Sequence, residues 1–125
     1  MGKFVKDSVM DLALADIATC TLLSVCSGAG TPTDGTLAAV TLASVALTAG
    51  DGNGDYVIAD GASGRKVTVA QQADIAITGA TADATHVVLS LGGVVKLVTT
   101  CTTQTLTNGG TVTVPTFSNT IADPT

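Results

Sequence analysis

The sequence predicts a mainly β protein, an antiparallel two-layer β-sandwich with one short N-terminal α-helix, in a single domain over residues 1–125. Three observations carry that expectation. Hydrophobic residues make up 46% of the chain while aromatics reach only 2% and charged residues 12%, so the core must be built from small and β-branched side chains that suit packed sheets. Runs of valine, threonine and leucine are punctuated by glycine turns, most clearly at Gly92-Gly93 and Asn108-Gly109-Gly110. Residues 7–18 carry the one clear helical spacing.

That helix opens the chain. Val9, Leu12, Ala13 and Ile17 share a stripe, and Ser8-x-x-Asp11 approximates a capping box, with Asp7 or Ser8 positioned to accept the free amide protons of the first turn. The helix is expected to dock through its Val9/Ile17 stripe. Lys3 and Lys6 precede the apolar run Val9 to Ala18, but Asp7, Asp11 and Asp16 interrupt it, so no secretory signal is expected.

Strand composition begins at Thr21-Leu22-Leu23-Ser24-Val25-Cys26 and stops at Gly28-Ala29-Gly30-Thr31-Pro32. Residues 36–48 fit either a helix or a strand, and the excess of threonine and valine over long-chain helix formers favours a strand. Tyr56 to Ala59, Arg65 to Val69 and Asp74 to Gly79 read as three further short strands.

The clearest stretch is residues 84–121, a predicted three-stranded meander. A two-residue loop at Gly92-Gly93 places Leu91 opposite Val94, Leu89 opposite Lys96 and Val87 opposite Val98. A three-residue loop at the second turn pairs Leu106 with Val112 and Gln104 with Val114. One face then carries Val87, Leu89, Leu91, Val94, Val98, Leu106, Val112 and Val114, the expected core. The other carries His86, Val88, Ser90, Val95, Leu97, Thr105, Thr113 and Phe117, which is too apolar to meet only water. Its cover is either the chain's own helix or second sheet, or another subunit, which makes Val88, Val95, Leu97 and Phe117 the candidate interface residues. Residues 118–125 form an expected extended tail, free either to fray or to reach a neighbour.

Candidate chemistry is sparse. With a net charge of −5 and five Lys plus Arg, the chain has no basic stripe for phosphates, and neither nucleic acid nor an anionic membrane is an expected partner. The longest other apolar stretch, Leu37 to Ala49, is too short for a membrane-spanning helix. Asp51, Asn53 and Asp55 alternate as oxygen ligands do in a calcium loop, but Tyr56 stands where that loop wants glycine and Ala62 where it wants a bidentate glutamate. His86 is the only histidine, and no Gly-x-Ser-x-Gly elbow accompanies it. The ten carboxylates are all aspartates lying mostly in turns, where they bond neighbouring amides. No enzyme activity and no cofactor are expected.

Cys20, Cys26 and Cys101 cannot all pair within one chain; they read as small buried hydrophobes, with one disulfide, such as Cys26 to Cys101, open in an oxidising medium. Arg65, the only arginine, is either a solvated strand start or an anchor for a carboxylate on this subunit or a neighbour.

Three stretches together resemble a family of small virion proteins of tailed bacteriophages: Phe4-Val5-Lys6-Asp7-Ser8-Val9-Met10-Asp11, Ser63-Gly64-Arg65-Lys66-Val67-Thr68-Val69 and Ala82-Asp83-Ala84-Thr85-His86-Val87-Val88-Leu89. The ending, with Val112-Thr113-Val114-Pro115 and Ile121-Ala122-Asp123-Pro124, is similar too, whereas residues 36–48 depart from the pattern. The resemblance implies a non-enzymatic head decoration or cement protein that binds the major capsid protein, self-associates into a homo-oligomer and is made in the host cytoplasm before joining the capsid surface. A tail or neck component is the alternative within that class. A glycan-binding tail-spike or adhesin module built around Tyr56 is the alternative outside it, though one Tyr and two Phe offer little aromatic platform.

Overall fold

The computed structural model describes residues 4–124; Lys3 and Thr125 lie outside the described residues. The elements run α1 (Asp7–Ile17), β1 (Leu22–Ser27), α2 (Leu37–Val40), β2 (Thr41–Ala46), β3 (Tyr56–Asp60), β4 (Arg65–Val69), β5 (Gln72–Ala76), β6 (Ala82–Leu91), β7 (Val94–Leu106), β8 (Thr111–Val114) and β9 (Phe117–Ile121). The protein is mainly β, with antiparallel sheets and a short N-terminal helix, as the composition and turns predict. The order β2-β1-β6-β7 makes a four-stranded sheet, and the second layer is assembled from a three-stranded sheet β3-β4-β9 and the pair β5-β8.

Between the layers lies the main core. Leu23, Val25, Val87 and Leu89 from the large sheet meet Tyr56, Val67, Val69, Ile75 and Val114 from the second layer, with Leu14 and Ala18 closing one end. Removing a leucine-sized side chain from water contributes about 1.5–3 kcal/mol, so these contacts dominate the stability of the sandwich.

The helix forms where expected but shows a different face. Met10, Leu14 and Ala18, at four-residue spacing, are buried, and Ile17 is half-buried; Val9 and Leu12 are exposed. The expected Val9/Ile17 stripe is therefore corrected at Val9 and kept at Ile17: α1 lies against β3 and β4 with Leu14 and Ala18 in the main core and Ile17 packed beside them. The cap also differs: Lys6 is the N-cap, with no side-chain bond, and Asp7 instead places its charge in the first turn, where the helix dipole favours it.

In the β6–β7 hairpin the turn behaves as predicted and the register does not. Leu91 pairs with Val94 across Gly92 and Gly93, which have φ of 58° and 85°, but Leu89 pairs with Leu97 and Val87 with Thr99. Lys96 is the extra residue, a β-bulge between Leu89 and Ser90 whose ammonium reaches Asp16 Oδ1 of α1 at 2.8 Å. One inserted residue exchanges the faces of those that follow, up to the second irregularity opposite Ala84 to His86, beyond which Leu106 returns to the core as expected. Leu97 and Cys101 consequently pack against the main core, and Val98 moves to the outer cluster. Leu91 and Val94, assigned to the core face from the sequence, are exposed at the hairpin tip.

The predicted meander over residues 84–121 stops after two strands. β8 pairs with β5, with Ile75 opposite Val112, and β9 pairs with β4, with Val69 opposite Phe117. The chain is turned across to the other layer at Asn108, whose side chain donates to the carbonyls of Thr78 and Gly79, and Gly109 N–H donates to Ile77 O. The first half of the predicted tail is likewise a strand, since residues through Ile121 belong to β9. In the ambiguous stretch at 36–48 both readings apply in turn: α2 is one helical turn, ended where Thr41 Oγ1 donates to Leu37 O at 2.7 Å, and β2 follows.

Candidate functional site

Seen from its outer side, the large sheet is covered by the chain itself. Val88, fully buried, lies with Cys26 under Leu37, and Val40, Val95 and Val98 pack around them. The covering segment, from Gly28 to Val40, is pinned at two points: Thr85 Oγ1 donates to Gly28 O at 2.7 Å, and Asp34 Oδ1 accepts the Val95 amide at 2.7 Å. Val88 and Val95 are thus corrected from candidate interface to intramolecular cluster. Leu97 and Phe117, half-buried, pack against the main core, and neither belongs to an exposed patch on that face.

Arg65 is an anchor within this chain. Its Nε donates to Asp11 Oδ1 at 2.7 Å and its Nη2 to Asp11 Oδ2 at 3.2 Å, a bidentate pair, while Nη1 donates to Asp60 Oδ1 at 2.6 Å. These bonds, Asp11 first and Asp60 second, hold the guanidinium protonated even more firmly than usual. The pair ties α1 to the β3–β4 hairpin and joins two of the stretches on which the phage resemblance rests.

The loop of Asp51, Asn53 and Asp55 spends its polar groups on nearby protein groups. Asp51 Oδ1 accepts the Ile58 amide at 2.9 Å, Asp55 Oδ2 accepts the Thr48 amide at 2.6 Å and Oδ1 the Gln72 side-chain amide at 3.0 Å, and Asn53 Nδ2 donates to Ala49 O at 2.9 Å. Among the described residues no three His, Cys, Asp or Glu side chains come together as a metal site requires. His86 is buried, with Nδ1 2.8 Å from Thr85 Oγ1.

The three cysteines are free thiols. Cys26 packs in the outer cluster and Cys101 against the main core, on opposite sides of the sheet, so the pair suggested by the sequence is not a disulfide here. Burial pushes all three thiols above their ordinary value, with Lys96 partly opposing the shift at Cys20 and a Thr41 hydrogen bond opposing it at Cys26. Tyr56 is fully buried and its hydroxyl donates to Cys20 O at 2.8 Å, so it offers no platform to a glycan.

Two features that could engage a partner were not singled out for that role in the sequence. The first is the outward face of α1, where Val9 is 58% and Leu12 74% exposed, with Phe4 just before the helix 84% exposed. The second is a cavity of about 380 Å³ between the outer face of the large sheet and α2, lined by Leu22, Ser24, Leu37, Ala38, Ser90 and Asp34 among others. Ser24 and Ser90 are each 1% exposed, and neither hydroxyl has a hydrogen-bond partner among the described residues. The sequence carries a signal for the second: each serine interrupts an otherwise apolar strand run, Leu22-Leu23-Ser24-Val25 and Leu89-Ser90-Leu91. No family model, curated protein or solved structure matches the chain.

Proposed function

We propose that this chain is a non-enzymatic structural protein of a tailed-phage virion, of the head decoration or cement type, which binds the major capsid protein and reinforces its lattice. The observation that carries this reading is the position of the exposed apolar groups. Phe4, Val9 and Leu12 are large apolar side chains left in solvent on α1 and just before it, and Phe4 and Val9 fall within the opening stretch that carries the phage resemblance. Val9 and Leu12, three residues apart, share a helix face, and a rigid helix presenting such a face is a natural docking element.

Self-association has a second support. β7 is thirteen residues long, has β6 as its neighbour on one side in the sheet order and ends that sheet on the other. Beyond Val95, whose amide donates to Asp34, this edge is rich in threonine with Lys96 as its one charged residue, and it can be extended by a strand of another copy.

The docking face is tested by Val9→Asp combined with Leu12→Asp. Both positions are exposed, so the melting temperature should stay close to that of the parent, within the effect of about ±0.5 kcal/mol usual at surface sites. Binding to purified capsids that lack the protein should fall at least about tenfold, the loss expected from an interface centre carrying two charges. Unchanged capsid binding by the folded double variant would remove α1 from the interface.

A further inference from the structure

We infer that Asn53 is a site of spontaneous covalent modification in the folded protein, where attack by the Gly54 backbone nitrogen turns its side-chain amide into an acid, and that the fold withholds the same reaction from Asn108. This goes beyond the virion reading and does not depend on it.

Both asparagines precede glycine, the one neighbour with no side chain to hinder the attack, so the sequence alone ranks Asn53-Gly54 and Asn108-Gly109 together. Asn119, the third asparagine, precedes the β-branched Thr120 within β9. The reaction consumes only water. Hydroxide takes the Gly54 amide proton, the freed nitrogen bonds to Asn53 Cγ, and the Cγ–Nδ2 bond breaks as ammonia leaves with a proton from water. Water then opens the five-membered imide. Cleaving the new Cγ–N bond gives aspartate, and cleaving the original peptide bond gives isoaspartate, whose backbone runs through Cγ.

What separates the two sites is how each reacting group is held. Asn108 Nδ2 donates to Thr78 O at 3.2 Å and to Gly79 O at 2.8 Å, and its backbone amide donates to Thr81 Oγ1 at 3.1 Å. The attacking group there, the Gly109 amide, donates to Ile77 O at 2.9 Å. Attack at Asn108 therefore waits until this turn parts from residues 77–81. Asn53 is exposed, and its side chain is held by one bond, Nδ2 to Ala49 O at 2.9 Å. The Gly54 amide makes no hydrogen bond among the described residues, and apart from its chain neighbours no described atom lies within 4 Å of where a Cβ on Gly54 would sit, so hydroxide has access. The product also changes the loop. A carboxylate at position 53 cannot donate to Ala49 O, and it adds a charge between Asp51 and Asp55, whose oxygens hold the Ile58 and Thr48 amides.

The test is peptide mapping by mass spectrometry of the full-length protein during incubation at mildly alkaline pH, folded and in denaturant. In the folded protein the peptide holding Asn53 should gain the amide-to-acid mass, as a mixture of aspartate and isoaspartate, at least about tenfold faster than the peptide holding Asn108, whose reaction needs several hydrogen bonds to open. In denaturant the two rates should converge, because both asparagines precede glycine. Asn53→Gln, for which the same attack must close a less favoured six-membered ring, should keep its amide throughout. Four results would each overturn the assignment: Asn108 converting as fast as Asn53 in the folded protein, Asn53 persisting in the folded protein while the denatured chain converts, rates that stay apart in denaturant, or undiminished conversion at position 53 in Asn53→Gln.

Discussion

Replacing Gly64 with alanine is expected to destabilise the protein by more than about 3 kcal/mol, the range of backbone strain combined with overpacking. Gly64 has φ of +81°, and a Cβ placed there would overlap the carbonyl oxygen of Ile121 and lie 2.9 Å from both Ala122 C and Asp123 N. These are backbone atoms at the end of β9, so no side-chain rotation relieves the contact. Either the β3–β4 turn, closed by the Gly61 N–H to Gly64 O bond of 3.0 Å, or the β4–β9 ladder must open. Arg65 follows directly, so its bonds to Asp11 and Asp60 are displaced as well. Gly93→Ala is the control, since Gly93 has a similar φ of +85° but no described atom within 4 Å of where its new methyl group would sit. Its cost should be only about 1 kcal/mol, the local conformational penalty. Thermal melts of the two variants should differ by roughly 10 °C; equal melting temperatures would show that Gly64 does not hold the hairpin against β9.

Tyr56→Ala should cost about 3–5 kcal/mol in denaturant unfolding, as large-to-small changes at a fully packed aromatic do. Tyr56 is fully buried among the apolar residues of both layers and spans them with its bond to Cys20 O. Tyr56→Phe keeps the ring and removes that bond, leaving the Cys20 carbonyl without its tyrosine partner, for a cost of about 1–2 kcal/mol. The same burial predicts alkaline lability. Burial first, then the neighbouring Cys20 and Asp55, raise Tyr56 above its ordinary 10.0, and the three thiols are raised above 9.0. In each case the unfolded chain loses its proton at a lower pH than the folded one. The folded state is therefore undiminished below about pH 9 and loses up to about 1.4 kcal/mol per pH unit for each group whose ordinary value has been passed. Tyr56→Phe should flatten the part of that decline above pH 10; an identical pH profile would show that Tyr56 does not contribute to it.

The β character, the helix limits and the Gly92-Gly93 turn were legible in the sequence because each depends on neighbours within a few residues. What was not legible depends on distant partners. The Lys96 bulge is specified partly by Asp16, eighty residues away, and nothing in Val94 to Val98 announces it. The buried face of α1 depends on where the helix lies against β3 and β4, which its own residues do not specify. The departure of β8 and β9 from the hairpin follows from Asn108 bonding to Thr78 and Gly79. For the same reason the outer face of the large sheet was rightly read as needing a cover, while the cover itself, Leu37 and Val40, came from a segment whose structure was ambiguous.

The central claim, that this chain decorates a phage head, is tested most directly by counting it in purified virions. Quantitative mass spectrometry should find it at a copy number comparable with that of the major capsid protein. A few copies per particle would contradict a lattice-binding role and place the protein in the tail or neck, and its absence from the virion would contradict the virion assignment altogether.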